Sequence, residues 1–254
     1  MNIDQLLKSR SNSKSSWCGT DNPSNYRTVT SYGKNLFDKN DITYHFNQHG
    51  FRCDNFNLES KFPTVFIGCS ITEGIGLPYD LTWAKKLHDK ISPEDPFWNL
   101  SLMSTGSDTQ SRLLYWYEKN GFQKPKIIFG LLPPSVRREL TYRSFEKEPW
   151  GKPTGYPIEV NQLFIDKSFS LSQTTRSMMI IDSLARAWGS KIILTFWSYE
   201  DARADQDFIE KEFGHIMQPS IGNWKDINKS WARDSQHWGV EMHDNIFSSF
   251  LRHL

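Results

Sequence analysis

The alternation of strand and helix patterns from residue 62 onward predicts a doubly wound α/β domain with a parallel central sheet. Short apolar runs rich in β-branched and aromatic residues are separated by longer amphipathic segments. Strands without polar alternation are typical of parallel sheets, because helices cover both of their faces. The carboxyl ends of all strands then lie at one edge of the sheet, which is where ligand sites form in open α/β folds.

Each element is predicted from its own local pattern. Strands are predicted over residues 64–67, 97–100, 126–132 and 191–197, and helices over 81–91, 107–120 and 171–188. Trp83, Leu87 and Ile91 have the spacing of one buried face of the first helix. Gly121 and Gly189 follow the other two helices, at a position where glycine commonly ends a helix. A final amphipathic helix closes the chain, and His243 within it is expected to be partly exposed.

The first part of the chain differs in character, so we divide the protein into an N-terminal extension or arm, 1–61, and a main domain, 62–254. Residues 9–25 are rich in Ser, Asn and Lys, which predicts a flexible or irregular segment. Residues 42–46 alternate in polarity and a turn pattern follows over 47–52. We interpret them as a short hairpin or extended arm that covers the domain.

Two long connections follow the third and fourth predicted strands. Residues 141–161 contain several prolines and glycines and therefore cannot form regular structure. Residues 199–231 form the second connection. Loops at this edge of a sheet often carry function, so both are expected to shape a pocket, or alternatively to form an oligomer contact.

Composition excludes several classes of protein. The 254 residues include 30 Lys and Arg against 29 Asp and Glu, a formal net charge of +1. This balance argues against a protein that binds nucleic acid through a broad basic field, so no nucleic-acid partner is expected. The sequence has neither a recognisable signal peptide nor an apolar run of about 18 residues, so we expect no membrane span and a cytoplasmic or virion-associated protein.

The cysteines do not predict a metal site or a disulfide framework. Cys18, Cys53 and Cys69 have no spacing typical of zinc ligands, and free thiols in a reducing compartment explain them most simply. Neither a metal nor an organic cofactor is expected.

The strand that begins at residue 64 ends in a pattern suited to a nucleophile. An apolar run stops at Gly68, and Ser70 follows at the predicted mouth of the sheet. Gly68 permits a sharp turn out of the strand. An ordinary strand-to-loop junction with an incidental serine is the alternative. The Gly-x-Ser-x-Gly elbow does not fit because residue 72 is Thr, and neither a P-loop nor a dinucleotide fingerprint is present.

Asp234 and His237 lie three residues apart, just before the final helix. A carboxylate in this position can bond one imidazole nitrogen and leave the other free to accept a proton from a serine. An Asp and a His with this spacing also occur together by chance. The position of the pair, just before the final helix, is therefore the evidence for a functional role. Glu212 and His215 form a competing pair, which we discount because it does not lie at a strand-to-helix junction.

These residues resemble the SGNH or GDSL hydrolases, a family of esterases and lipases. The stretch from Gly68 to Thr72 resembles the Gly-Asp-Ser-Leu/Ile-Thr block, and the Asp234 and His237 spacing matches the Asp-x-x-His block. The resemblance covers about 62–254. It implies a flavodoxin-like three-layer α/β/α sandwich, with Ser70 as nucleophile, His237 as general base and Asp234 orienting the histidine.

The chain departs from the family pattern at two positions. Cys69 replaces the usual Asp of the first block, which is not a catalytic group. In the family, an oxyanion is held by the serine amide, a glycine amide and an Asn side chain, which here implies Ser70 and Gly106, but Leu132 stands where Asn is expected. Loss of one such donor costs about 10²- to 10³-fold in turnover.

Three further residues are candidates for the pocket. Arg137 and Arg138 follow the third strand and are candidates to replace the missing donor, and Trp238 directly follows His237.

The resemblance implies a serine ester hydrolase that acts on a small-molecule or glycan ester, removing a small acyl group such as acetyl from a carbohydrate. The alternative is a catalytically weak or inactive module that keeps the fold and recognises a glycan or a protein. Acyl transfer to a sugar would use the same residues as hydrolysis.

Overall fold

A computed structural model of the protein describes residues 7–26, 37–57, 62–135, 137, 167–198, 203–219, 221–223 and 230–254. In the N-terminal segment, β1 (Lys14–Ser15) and β2 (Tyr44–His45) pair in antiparallel fashion. The strands of the central sheet are β3 (Thr64–Gly68), β4 (Phe97–Asn99), β5 (Ile127–Leu132), β6 (Lys191–Ser198) and β7 (Ile221–Asn223).

The central sheet is parallel throughout, and its strand order is β4-β3-β5-β6-β7. This order is that of flavodoxin-like folds, in which the chain reverses its winding direction between the first strand and the third. Here β3 lies at the reversal, because it pairs with both β4 and β5. A crevice opens at such a point outside the carboxyl ends of the strands. Ser70 follows β3 at this position.

The helices are α1 (Ser70–Glu73), α2 (Trp83–Ile91), α3 (Ser107–Lys119), α4 (Lys167–Trp188), α5 (Arg203–Glu212) and α6 (Val240–Leu251), with a short 3₁₀ helix at Tyr79–Leu81. The second helix begins later than the sequence predicts, because the Thr82 side chain accepts a hydrogen bond from the Lys85 amide and caps it. The long helix α4 begins four residues before the predicted start at 171.

Apolar clusters cover both faces of the sheet. Val65 and Ile67 of β3 pack with α3, α4 and α5, whereas Phe66 packs on the opposite face with α2 and α6. The alternation follows from the strand geometry, in which successive side chains point to opposite faces. The predicted three-layer α/β/α sandwich is therefore confirmed.

Two expectations about the later part of the chain are wrong. The connection over residues 199–231 is not a simple loop, because it contains α5 and the edge strand β7. His243 is not a surface residue, since it is 1% exposed and its Nδ1 accepts a hydrogen bond from the Trp83 amide at 3.0 Å. That amide lies in the first turn of α2 and needs a partner outside its own helix. The predicted loop over 141–161 lies outside the described residues.

The N-terminal segment forms an arm that is firmly attached to the domain. Strand β2 pairs with β1, about thirty residues earlier, so the alternating segment is not half of a local hairpin. Apart from β1, residues 9–25 form turns, bends and a short helical turn that begins at residue 23, as expected of an irregular segment. It is nevertheless held in place, because Asp21 is fully buried against Arg233. The boundary at residue 61 stays a prediction.

Candidate active site

The turn after β3 places Ser70 at the edge of the sheet. Gly68 has φ +158°, and a Cβ atom there would lie 2.0 Å from Thr72 Oγ1 and 2.9 Å from the carbonyl oxygen of Leu131. Only glycine fits this position. Ser70 begins α1 and is 5% exposed, whereas the Cys69 side chain is fully buried in the apolar cluster below α2 and α6. The thiol is therefore part of the core.

The loop before α6 brings Asp234 and His237 to Ser70. His237 Nε2 lies 2.8 Å from Ser70 Oγ, and His237 Nδ1 lies 2.6 Å from Asp234 Oδ2. A neutral imidazole protonated at Nδ1 donates to the carboxylate and leaves Nε2 to accept the hydrogen bond of the serine hydroxyl. The arrangement can therefore move a proton from the hydroxyl to the ring.

The carboxylate of Asp234 is fully buried and fully hydrogen bonded. Its Oδ1 accepts hydrogen bonds from the amides of Gln236 at 3.1 Å and His237 at 3.0 Å. Its Oδ2 accepts from the Thr20 hydroxyl at 2.6 Å as well as from the imidazole. Burial raises the pKa of Asp234, but hydrogen bonds and charge from His237, with bonds from Thr20 and the Gln236 amide, outweigh it and lower the pKa below its usual value. The group is thus ionised at neutral pH.

The loop that carries Asp234 is docked onto the loop that follows the serine. The Arg233 amide donates to the Gly76 carbonyl at 2.9 Å, and the Gly76 amide donates to the Tyr44 hydroxyl at 2.8 Å. Within the loop, the Ala232 amide donates to the His237 carbonyl at 2.9 Å. These bonds fix His237 relative to the segment 68–77 that carries Ser70, called the serine turn below.

Residues that the sequence analysis did not identify support the serine turn. The buried Arg52 guanidinium donates to the carbonyls of Glu73 at 3.1 Å, Gly74 at 2.5 Å and Leu77 at 2.8 Å. The Asn99 side chain donates to the Thr72 carbonyl at 2.9 Å. Arg52 ends the turn pattern recognised over 47–52, but nothing local in the sequence indicates where its side chain points.

Of the two proposed oxyanion donors, Ser70 lies in α1 and Gly106 lies on the loop between β4 and α3. Gly106 caps the start of α3, and its backbone packs against the carbonyl of Arg137. Leu132 is fully buried at the end of β5, where it pairs with Phe196 of β6. Its side chain lies in the apolar core on the α3 and α4 face of the sheet. The strand therefore continues through the position where the family pattern expects Asn.

Arg137 and Trp238, two of the three pocket candidates, both contact Trp197. The exposed Arg137 guanidinium lies 5.1 Å from the Trp197 ring centre, and the Trp197 and Trp238 rings meet edge to face at 5.3 Å. Trp238 is buried, with 6% of its surface exposed. Arg138 lies outside the described residues. The competing histidine, His215, instead contacts Asp182 of α4, at 3.2 Å, and Arg186.

The described residues contain no candidate metal site and no candidate membrane span. No cluster of three or more His, Cys, Asp or Glu residues in this part of the chain is placed to hold a metal ion. None of the helices that the structure describes has the length and apolarity needed to span a membrane.

Comparison with known proteins gives matches among solved structures alone. No protein-family model matches the sequence, and no curated protein matches it. A lipolytic G-D-S-L family member from Veillonella parvula is 11% identical, with 75% of this chain and 97% of that chain covered and a TM-score of 0.49. The esterase EstA from Pseudoalteromonas sp. is 14% identical, with 74% and 94% covered and a TM-score of 0.46.

A carbohydrate acetylesterase family member from Sinorhizobium meliloti is 11% identical, with 74% and 95% covered and a TM-score of 0.43. The fold itself is established by the strand order described above. The solved structures to which the chain is similar include SGNH/GDSL lipolytic esterases, matched over about three quarters of its length at low sequence identity.

Proposed function

We propose that the protein is a serine ester hydrolase in which Ser70 is the nucleophile, His237 the general base and Asp234 the residue that orients His237. The observation that carries this proposal is the continuous chain of contacts from Ser70 Oγ to His237 Nε2, at 2.8 Å, and from His237 Nδ1 to Asp234 Oδ2, at 2.6 Å. Groups at these distances are within reach for proton transfer.

The chemistry has two steps. Ser70 Oγ attacks the ester carbonyl while His237 Nε2 takes the hydroxyl proton, and the ring then returns that proton to the departing alkoxide. Water, deprotonated by the same nitrogen, attacks the acyl-serine, and the ring returns that proton to Ser70 Oγ as the carboxylic acid is released. Asp234 stays ionised and stabilises the imidazolium. Amides of Ser70 and Gly106 are the proposed donors to the oxyanion.

We further propose a small acyl group, such as acetyl, carried by a carbohydrate. Ser70 is 5% exposed, so an ester must approach its hydroxyl through a narrow opening, which favours a small acyl group. Trp231 is 42% exposed and forms a β-bridge with Trp238, next to His237. An exposed indole so close to the histidine offers a flat face on which a sugar ring can stack.

Active-site labelling with a fluorophosphonate probe tests the enzyme assignment. We expect the wild-type protein to be modified at Ser70 and Ser70→Ala to remain unmodified, with the peptide identified by mass spectrometry. Cys69→Ala is the matched control and should retain labelling, because that side chain belongs to the core. Equal labelling of Ser70→Ala and the wild type would refute the assignment of the nucleophile.

The buried Leu132 at the end of β5 favours a second candidate, a binding module that keeps the fold without the chemistry. In that case a well-folded wild-type protein would show no labelling and no turnover. Ser70→Ala would then bind an acetylated oligosaccharide as tightly as the wild type.

A further inference from the structure

The N-terminal arm contacts the site at several points. Arg10 forms an ion pair with Glu73 of α1, and the other Glu73 oxygen accepts a hydrogen bond from the Met103 amide at 2.6 Å. The arm is thereby anchored at Glu73, which itself links α1 to the loop that follows β4. A second anchor is the fully buried ion pair between Asp21 and Arg233, with bonds at 2.9 and 2.6 Å. Arg233 directly precedes Asp234.

Thr20 lies at the tip of a turn between these anchors. The Cys18 amide donates to the Asp21 carbonyl at 2.9 Å, and the Asp21 amide donates to the Cys18 carbonyl at 3.1 Å. The preceding Gly19 packs so closely on Met103 that a Cβ atom would lie 2.6 Å from the methionine sulfur. The tip is therefore held between the loop after β4 and the loop that carries Asp234.

The hydroxyl of Thr20 is a hydrogen-bond donor to the Asp234 carboxylate. It donates to Oδ2 at 2.6 Å and lies 3.4 Å from His237 Nδ1. The same oxygen is bonded to the imidazole, while Oδ1 is bonded to two amides of its own loop. Hydrogen bonds to an ionised acceptor are strong and directional. The hydroxyl thus fixes the oxygen that the histidine uses, from a position 214 residues away in the chain.

We propose that Thr20 is a positioning residue of the active site, so that the N-terminal arm is part of the catalytic unit. Its hydroxyl holds the Asp234 carboxylate in line with His237 Nδ1, and this orients Nε2 toward Ser70. The inference rests on the proposed esterase function for its kinetic consequences, whereas the contact itself can be tested without turnover.

The kinetic test compares Thr20→Val with Thr20→Ser, using p-nitrophenyl acetate as the ester. Loss of a hydrogen bond to a charged group is expected to lower kcat about tenfold in the valine variant, with KM changed less than about twofold. The serine variant keeps the hydroxyl and should recover most of this loss. Thr43→Val makes the same change on the same arm, in a cleft shared with His45 and Asp54, and should behave as wild type.

The second readout is the low-field proton NMR signal of His237 Nδ1–H, assigned by its loss in His237→Gln. We expect the signal to shift or broaden in Thr20→Val and to match wild type in Thr20→Ser and Thr43→Val. A Thr20→Val protein with the wild-type signal and the wild-type kcat would overturn the inference. If valine prevents folding, Thr20→Ala removes the hydroxyl without added bulk and takes its place.

The two readouts separate the inference from the proposed function. A wild-type protein without turnover or labelling would refute the esterase assignment, yet a perturbed His237 signal in Thr20→Val would still support the positioning contact. The opposite result is turnover by the wild type together with an unchanged His237 signal and unchanged kcat in Thr20→Val. It would support the esterase assignment and refute the positioning role of Thr20.

Discussion

The side-chain amide of Gln110 satisfies both backbone polar groups of Gly68. Its Oε1 accepts from the Gly68 amide at 3.0 Å, and its Nε2 donates to the Gly68 carbonyl at 2.7 Å. Strand β4 ends at Asn99, which pairs with Phe66, and beyond it the Leu102 amide reaches the Gly68 carbonyl, at 3.3 Å. Gln110 of α3 takes the place of the missing strand and holds the turn that presents Ser70.

Replacing Gln110 is therefore expected to weaken both the fold and the site. Gln110→Met leaves the buried Gly68 amide without the Gln110 oxygen and the Gly68 carbonyl with only the longer bond from Leu102, which should lower the free energy of unfolding by about 1–3 kcal/mol. Fluorophosphonate labelling of Ser70 should slow as the turn loosens. Gln173→Met, on the partly exposed face of α4, is the control and should stay near wild type in urea unfolding. Equal unfolding midpoints for the two variants would contradict this account.

The guanidinium of Arg52 is expected to contribute strongly to stability. Arg52→Met removes the donor to three carbonyls around the serine turn. We expect a loss of about 3 kcal/mol in chemical denaturation, because those buried oxygens lose a charged partner. Arg186→Met makes the same change in an exposed pair with Asp182 and should leave the midpoint almost unchanged. Similar losses in both variants would argue against a specific role for Arg52.

Introducing an asparagine at Leu132, the position where the SGNH pattern has one, should not create an oxyanion donor. The Leu132 side chain is fully buried in the core, so Leu132→Asn places an amide among apolar groups and should cost about 2–4 kcal/mol. We expect hydrolysis of p-nitrophenyl acetate to stay constant or fall. A rise in kcat for Leu132→Asn would show that the residue reaches the site.

The buried His243 makes stability depend on pH. Burial first, and then the positive charges of Lys86, His237 and Arg52, lower its pKa to about 3. The unfolded chain has the ordinary histidine pKa of about 6.5, so it binds a proton that the native state refuses. The contribution of His243 to the free energy of unfolding is therefore fully present above about pH 6.5. It falls by about 1.4 kcal/mol per pH unit as the pH decreases toward about 4.

Urea unfolding of wild type and His243→Asn at several pH values between about 7 and 4 measures this contribution. Asparagine offers a carbonyl oxygen to the Trp83 amide but does not titrate, so the variant should lose less stability per pH unit than the wild type. Parallel pH dependences of the two proteins would contradict the assignment.

The local sequence determined the fold class and the candidate residues of the site. Apolar runs without alternation predicted parallel strands, and Gly121 and Gly189 marked helix ends at which both residues adopt positive φ. These features depend on neighbours within one turn or one strand, so they are visible without coordinates. The same local reading misplaced His243 and missed α5 and β7, because burial and edge pairing depend on distant packing.

The tertiary structure decided which candidates meet and what surrounds them. Ser70 and His237 are 167 residues apart, and only the winding of the sheet brings them within hydrogen-bond distance. Thr20, Arg52 and Gln110 left no sequence signal, because a single polar residue that bonds a distant backbone or carboxylate creates no periodicity. Their roles arise from long-range contacts, which are set by the packed fold and not by the order of neighbouring residues.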